Sequence, residues 1–115
     1  MTSRKLDNSQ WRTFFDRVSK SVLGKQAEIE VASLRLGDQV EARWLPLLGM
    51  TYDPNDDIVE VALEGLDHLI PKPREIFVED DAAGLAALEI IDADGVRQIV
   101  KLRAPLMLPA PAHMK

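Results

Sequence analysis

A chain of 115 residues, 46% hydrophobic and 29% charged, is predicted to fold as one globular domain with no room for a second. It contains no cysteine, which excludes disulfides, thiolate zinc sites and cysteine nucleophiles. The formal net charge is −5 and the basic residues are scattered, so we expect no nucleic-acid binding. Apolar runs are far shorter than the roughly 20 residues that span a bilayer, and no signal peptide is recognisable. We therefore expect a cytoplasmic protein that does not bind membranes.

The first predicted element is an amphipathic helix from about Ser9 to Leu23, in which apolar residues recur at helical spacing. Asp7 precedes it as a candidate N-cap, and Gly24 can adopt the left-handed conformation just past its end. The apolar stripe, which we expect to face the core, comprises Trp11, Phe14, Phe15, Val18 and Val22.

A change to two-residue alternation predicts strands from residue 26 onward. Residues 26–33 and 40–44 alternate on either side of a turn at residues 37–38, which indicates a β-hairpin. Pro46 cannot donate a hydrogen bond to a sheet, so a bulge or an edge position is expected within residues 45–49.

Residues 53–57 have the composition of a turn, and residues 59–63 alternate as a third strand. Residues 65–73 are expected to be irregular, with one short helical turn within residues 66–70, because two prolines preclude a longer helix. The remaining predicted elements are a fourth strand beginning at Ile76 and a hairpin of residues 85–91 and 96–103 around a turn at residues 92–95.

Together these elements predict an α+β fold. We expect the N-terminal amphipathic helix to pack on an antiparallel, meander-like β-sheet of about five to six strands. Residues 1–103 would form this single domain. Residues 104–115 are rich in proline, and we expect them to form an extended, partly mobile tail.

The acidic turn of residues 53–57 resembles a calcium-binding loop. Asp53, Asn55, Asp57 and Glu64 fall at positions 1, 3, 5 and 12 of that template. Ile58 occupies the sixth position, where the template requires glycine for a sharp bend. A solvated turn therefore explains the residues better, and we expect no metal site.

The residues available for catalysis are few. The chain has only two histidines, His68 and His113, and the second lies in the predicted tail. His68 has Asp67, Arg74 and Tyr52 as conceivable companions, but adjacent residues seldom orient one another, so a surface histidine is the favoured interpretation. The glycines are dispersed and form no phosphate cradle, so no cofactor is expected and an enzymatic role is disfavoured.

Two apolar segments exceed what one small core is expected to hold. Residues 45–50 surround a proline, and residues 106–108 form an apolar triplet in the tail. Apolar residues that cannot reach the core often mark a partner surface, and homodimer formation is the simplest use. Trp11 and Trp44 could stack on a ligand, but both are in phase with core-facing stripes, so core packing is the favoured interpretation.

The overall pattern resembles a family of small bacterial proteins known only as a domain of unknown function. The resemblance rests on the helix that carries Trp11 and Phe14, on the segment from Leu45 to Pro54, and on the segment from His68 to Ile76. It covers nearly the whole chain. The resemblance implies a bacterial origin and a compact domain, and it implies no activity, cofactor or partner.

Two hypotheses about function follow. The first is a non-enzymatic interaction or accessory protein that self-associates or binds another protein through the apolar segments around Leu47 and Leu106. The alternative is a small enzyme or ligand-binding domain. Its site would use polar residues of the two signature segments, namely Tyr52, Asp53, His68 and Arg74.

Overall fold

The computed structural model describes residues 2–22, 24–33, 37–82 and 84–106. Within these residues it contains eight strands and one α-helix. In chain order they are β1 (Thr2–Leu6), α1 (Trp11–Ser19), β2 (Gln26–Ser33), β3 (Gly37–Asp53), β4 (Ile58–Leu63), β5 (Leu66–Pro71), β6 (Pro73–Asp81), β7 (Gly84–Asp92) and β8 (Arg97–Leu106).

The described strands form one sheet in the order β1-β6-β7-β8-β2-β3-β4-β5, and every neighbouring pair is antiparallel. The predicted combination of an N-terminal helix with an antiparallel sheet is confirmed. The predicted number of five to six strands is wrong, since the sheet has eight.

The two strands that the sequence did not predict are β1 and β5, the two edges of the sheet. Residues 65–73 were expected to be irregular with a short helical turn, and this prediction is wrong. Gly65, with φ +80°, makes a tight turn that pairs β5 with β4. Pro71 is tolerated because it ends an edge strand, where one side of the backbone has no ladder to complete.

The helix is shorter than the predicted span from Ser9 to Leu23. Residues Asn8–Gln10 form a 3-10 turn that Asp7 caps by accepting a hydrogen bond from the Ser9 N–H at 2.9 Å. This bond, together with a second one from the Ser9 hydroxyl, lowers the pKa of the Asp7 carboxyl below its ordinary value. The helix ends at Ser19, whose Oγ donates to the Met50 carbonyl at 2.6 Å and accepts from the Met50 N–H at 2.9 Å.

The predicted helix stripe faces the core, as expected. Phe14 and Phe15 meet edge to face with ring centroids 5.6 Å apart. The Trp11 indole N–H donates to the Leu6 carbonyl at 3.3 Å, which ties the start of the helix to β1. Every member of the stripe is buried, including Val22 beyond the helix end: Trp11, Phe14, Phe15, Val18 and Val22.

β3 is 17 residues long and pairs with β2 in its first half and with β4 in its second. The pairing with β2 contains two register shifts and the pairing with β4 contains one, between Leu47 and Gly49, which confirms the bulge expected within residues 45–49. Between Leu47 and Gly49 the shift leaves Leu48 without a partner on β4. Near Ala27 on β2 a second irregularity lies opposite Trp44, which has a positive φ of 52°.

The sheet folds back on itself at one end of the molecule. β5 forms one edge and β6 lies next to the opposite edge, yet Lys72 alone connects them. The Lys72 N–H donates to the Asp57 carbonyl at 2.8 Å, and the Ala93 N–H donates to the Lys72 carbonyl at 2.9 Å. These bonds bring the β3–β4, β5–β6 and β7–β8 turns together.

β8 continues to Leu106, past the predicted boundary of the tail after Arg103. The rest of the predicted tail, residues 107–115, lies outside the described residues, as does His113. Within the described part of the chain, α1 is far too short to cross a bilayer, and no other helix could do so.

Candidate functional site

Tyr52 lies near the end of β3, with its half-buried ring edge-on to Trp11 at a centroid distance of 5.2 Å. Its hydroxyl donates to Asp57 Oδ1 at 2.8 Å. Partial burial, then the hydrogen bond and charge of Asp57 and the charge of Asp53, raise the pKa of Tyr52 to about 12. The phenol is therefore neutral at physiological pH and acts as a hydrogen-bond donor.

Asp53 organises the turn that resembles a calcium loop. Its Oδ1 accepts from the backbone N–H of Asn55 at 2.9 Å and from that of Asp56 at 3.4 Å. Asp57 ends the turn with a positive φ of 55°. These local bonds explain the spacing of the acidic residues by turn formation. Among the described residues, no cluster of three or more His, Asp or Glu side chains could hold a metal ion.

His68 belongs to a chain of polar contacts that crosses from β5 to β8. Its Nε2 lies 2.5 Å from Gln98 Oε1, and Gln98 Nε2 donates to Asp92 Oδ2 at 3.5 Å. Because a carboxylate only accepts, the Gln98 amide nitrogen must face Asp92, and its oxygen then accepts from the His68 Nε2–H. Gln98 is 7% exposed and Asp92 is 8% exposed, so both are buried polar groups whose hydrogen bonds matter for stability.

Sequence reasoning missed Gln98 and Asp92. The second Asp92 oxygen, Oδ1, accepts from the backbone N–H groups of Asp94 at 2.9 Å and Val96 at 3.0 Å. Asp92 therefore shapes the β7–β8 turn and also orients the amide that meets His68. The signal available in the sequence was Gln98 itself, a polar residue in the apolar alternation of its strand.

The four predicted polar site residues do not form one network. Tyr52 contacts Asp57, whereas His68 contacts Gln98. Arg74 is an exposed residue where the register between β6 and β7 shifts. The backbone hydrogen bonds of Lys72 bring the β3–β4, β5–β6 and β7–β8 turns to the same end of the molecule. The described side-chain contacts of Tyr52 and His68 nevertheless stabilise different turns and strands.

The apolar segment around Leu47 divides into a buried and an exposed residue. Leu47 is 3% exposed and belongs to the core, whereas Leu48 is 62% exposed, because the bulge turns it outward. Leu48 stands on the rim of a groove of about 510 Å³ between the end of α1 and β3. We call this the Leu48 groove; its lining residues are Ser19, Lys20, Val22, Gly24, Lys25, Gln26, Pro46, Leu47, Leu48 and Glu64.

The end of β8 borders the same groove. Arg103 and Ala104 line a smaller cavity of about 140 Å³ together with three residues of the Leu48 groove. Arg103 Nη1 donates to Gln26 Oε1 at 2.9 Å, and its guanidinium lies 5.8 Å from the ring centroid of Trp44. The expectation that Trp44 belongs to the core is wrong: it is half-buried beneath Arg103, where the irregularity of β3 displaces it. Leu106 follows on the same strand and pairs with Leu85 of β7.

Comparison with known proteins identifies a family whose members match nearly the whole chain. Residues 2–111 match the family of unknown function DUF5335. The chain belongs to this family. It is also similar to an uncharacterised protein of Aquifex aeolicus (strain VF5), with 37% identity over 110 residues that cover 95% of this chain and 99% of the relative. No solved structure matches the chain.

Family membership confirms the resemblance found in the sequence, and the relative is bacterial. The two signature segments now have a place in the fold. The segment from Leu45 to Pro54 is the bulged half of β3 with the following turn, and the segment from His68 to Ile76 spans the β5–β6 connection. Neither description assigns an activity.

Proposed function

We propose that this protein is a non-enzymatic interaction domain that self-associates through the Leu48 groove. The observation that carries the proposal is the position of Leu48. A bulge in β3 presents this side chain at 62% exposure on the rim of a groove whose floor includes the apolar residues Val22 and Leu47. A second copy would bury Leu48 and fill the groove.

The charges around the groove favour a second copy of the same chain as the occupant. Lys20 and Glu64 are both exposed and both line the groove. A two-fold dimer interface brings one surface against itself, so a patch with both signs around an apolar centre is self-complementary. Lys20 of each copy could then lie near Glu64 of the other.

The adjoining surface extends this apolar centre with residue types common in interfaces. Trp44 and Arg103 stack beside Gln26, which also lines the Leu48 groove. Tryptophan and arginine are enriched among residues that dominate binding energy. The end of β8 approaches the same place, so the two segments predicted to bind a partner, around Leu47 and Leu106, begin from neighbouring parts of the surface.

The alternative of a small enzyme or ligand-binding domain has less support. Its residues would be Tyr52, Asp53, His68 and Arg74. A general base must have a free lone pair near its substrate. Tyr52 remains a protonated donor to Asp57 and therefore offers no base. The described contact of His68, which donates its Nε2–H to Gln98, supports the fold and involves none of the other three residues.

Sedimentation velocity of the wild type and of Leu48→Asp tests the proposal. We expect a dimer at micromolar concentration for the wild type and at least a tenfold weaker dimer for the variant, because a buried charge would replace the central apolar contact. Leu69→Asp is the matched control, since Leu69 is also exposed, at 51%, but lies on β5 outside the groove. It should leave the dimer unchanged.

A charge exchange tests the two-fold arrangement. Lys20→Glu should weaken the dimer, and adding Glu64→Lys in the same chain should restore it, because both contacts are then reversed. A wild-type protein that remains monomeric at about 100 µM, far above a micromolar dissociation constant, would contradict self-association. A dimer that Leu69→Asp disrupts and Leu48→Asp does not would place the interface elsewhere.

A further inference from the structure

A second concave site lies between β1 and α1. It has a volume of about 370 Å³ and shares no lining residue with the Leu48 groove. Pockets that bind small molecules commonly have volumes of about 300 to 1,000 Å³. We call this site the β1–α1 cleft; its lining residues are Arg4, Leu6, Ser9, Gln10, Thr13, Phe14 and Arg17.

The lining of the β1–α1 cleft is rich in hydrogen-bond donors. Five of its seven residues carry a side-chain N–H or O–H group, two of these are arginines, and none is acidic. The protein as a whole has a formal net charge of −5, so the lining of this cleft is more positive than the average of the chain. A cleft with donors and positive charge but no carboxylate among its lining residues favours an anionic ligand.

Arg4 is held at the mouth of the cleft by an ion pair. Its Nε lies 3.1 Å from Asp80 Oδ2, and the side chains of both residues are partly exposed. A guanidinium has five N–H donors, so one such contact leaves others for a ligand. The same capacity lets Arg17 keep its protein contact and still contribute charge to the cleft.

From this arrangement we infer that the β1–α1 cleft binds a small organic oxyanion, with a carboxylate or phosphate group between Arg4 and Arg17. The hydroxyl of Thr13 lies along the same wall and can donate to a remaining oxygen, whereas the Ser9 hydroxyl already donates to Asp7 Oδ1 at 2.9 Å. Leu6 and Phe14 are buried beneath them, so they offer a small apolar contact to a compact ligand body. This site is independent of the proposed dimer.

Binding can be tested with three probes at constant ionic strength: inorganic phosphate, benzoate and its neutral isostere benzamide. Backbone amide NMR shifts of Ser9, Gln10 and Thr13 report on the cleft. We expect benzoate or phosphate to shift these amides in a saturable manner and benzamide to leave them unchanged. Benzoate alone would indicate a carboxylate ligand, and phosphate alone a phosphorylated one. Equal shifts with benzamide, or none with either anion at about 10 mM, a concentration that detects even millimolar affinity, would overturn the inference.

Two substitutions with opposite expected effects separate ligand recognition from structural support. Arg4→Gln should weaken anion binding about tenfold, the usual loss for a charged hydrogen bond. Asp80→Asn should strengthen it, because it removes a competing carboxylate while the guanidinium remains. Arg12→Gln is the matched control, since Arg12 is an exposed arginine of α1 outside the cleft. If Arg4→Gln and Asp80→Asn weakened binding equally, the ion pair would merely shape the cleft, and the inference would fail.

Discussion

Tyr52 lies between an apolar wall and a carboxylate, and it is the single tyrosine of the chain. The ring of Trp11 contacts it edge-on, and its hydroxyl donates to Asp57. Loss of the phenolic proton would place a negative charge in a partly desolvated position next to an existing negative charge. Both effects favour the neutral form, so the side chain supports the β3–β4 turn as long as it stays protonated.

Titration of the phenolate absorbance should therefore give a pKa of about 12 for Tyr52 in the folded protein. Because this value exceeds the ordinary tyrosine pKa near 10, the associated stabilisation is fully present below about pH 10 and is lost as the pH rises through about 12. The free energy of unfolding, measured by denaturant titration, should fall over that interval.

The acidic residues around Tyr52 provide the matched variants. Asp57→Asn removes the main charge next to the hydroxyl and should bring the pKa of Tyr52 down towards its ordinary value. Asp53→Asn should have a smaller effect, because Asp53 acts on Tyr52 through its charge alone. An equal shift in both variants, or a normal titration in the wild type, would show that Asp57 is not the partner of the hydroxyl in solution.

At the scale of elements, the β4–β5 pair carries an unfavourable contact on its outer face. Glu60 of β4 and Asp67 of β5 lie on paired strands, and the hydrogen bond and charge of Asp67 raise the pKa of Glu60. A raised pKa in the folded state means that folding disfavours the charged form of Glu60. Ionised Glu60 therefore reduces stability at neutral pH.

Glu60→Gln should raise the free energy of unfolding at pH 7 by about 0.2 to 1 kcal/mol, the usual size of a cross-strand charge effect. The gain should vanish on acidification, since Glu60 is then protonated in the folded wild type as well. Denaturant titration at the two pH values measures both effects. Glu41→Gln, an exposed site on β3, is the control and should change little. A variant less stable than the wild type at pH 7 would mean that Glu60 makes a net favourable contact.

Most individual elements could be predicted from the sequence, because alternation and helical spacing report burial directly. The stripe around Phe15 and the strand around Val61 are examples. β1 and β5 could not, because edge strands bury fewer side chains: β1 is largely polar, and the prolines near β5 suggested a loop. The contact of His68 with Gln98 joins residues thirty positions apart, which local spacing cannot reveal.

At the scale of the whole molecule, long-range contacts close the folded sheet. β5 is an edge strand that hydrogen-bonds along one side to β4. Across the fold, His68 meets Gln98 of β8, and Lys72 joins the turns at the same end. The helix completes the enclosure, because α1 packs on β3 and Ser19 fastens its end to Met50. Polar contacts between distant parts of the chain thus add to the pairing with β4 and to the burial of Ile70 in holding the edge strand in place.

Removal of the central amide tests this closure. Gln98→Ala should lower the free energy of unfolding by about 1 to 3 kcal/mol, because it deprives the His68 Nε2–H and the buried Asp92 oxygen of their partner. Hydrogen exchange should also accelerate more in β5 than in β7, because β5 has a single strand neighbour and loses its contact to β8. Gln39→Ala, at an exposed position of β3, should change neither measurement. Equal effects of the two alanine substitutions would show that β5 is held by its pairing with β4 and by the core alone.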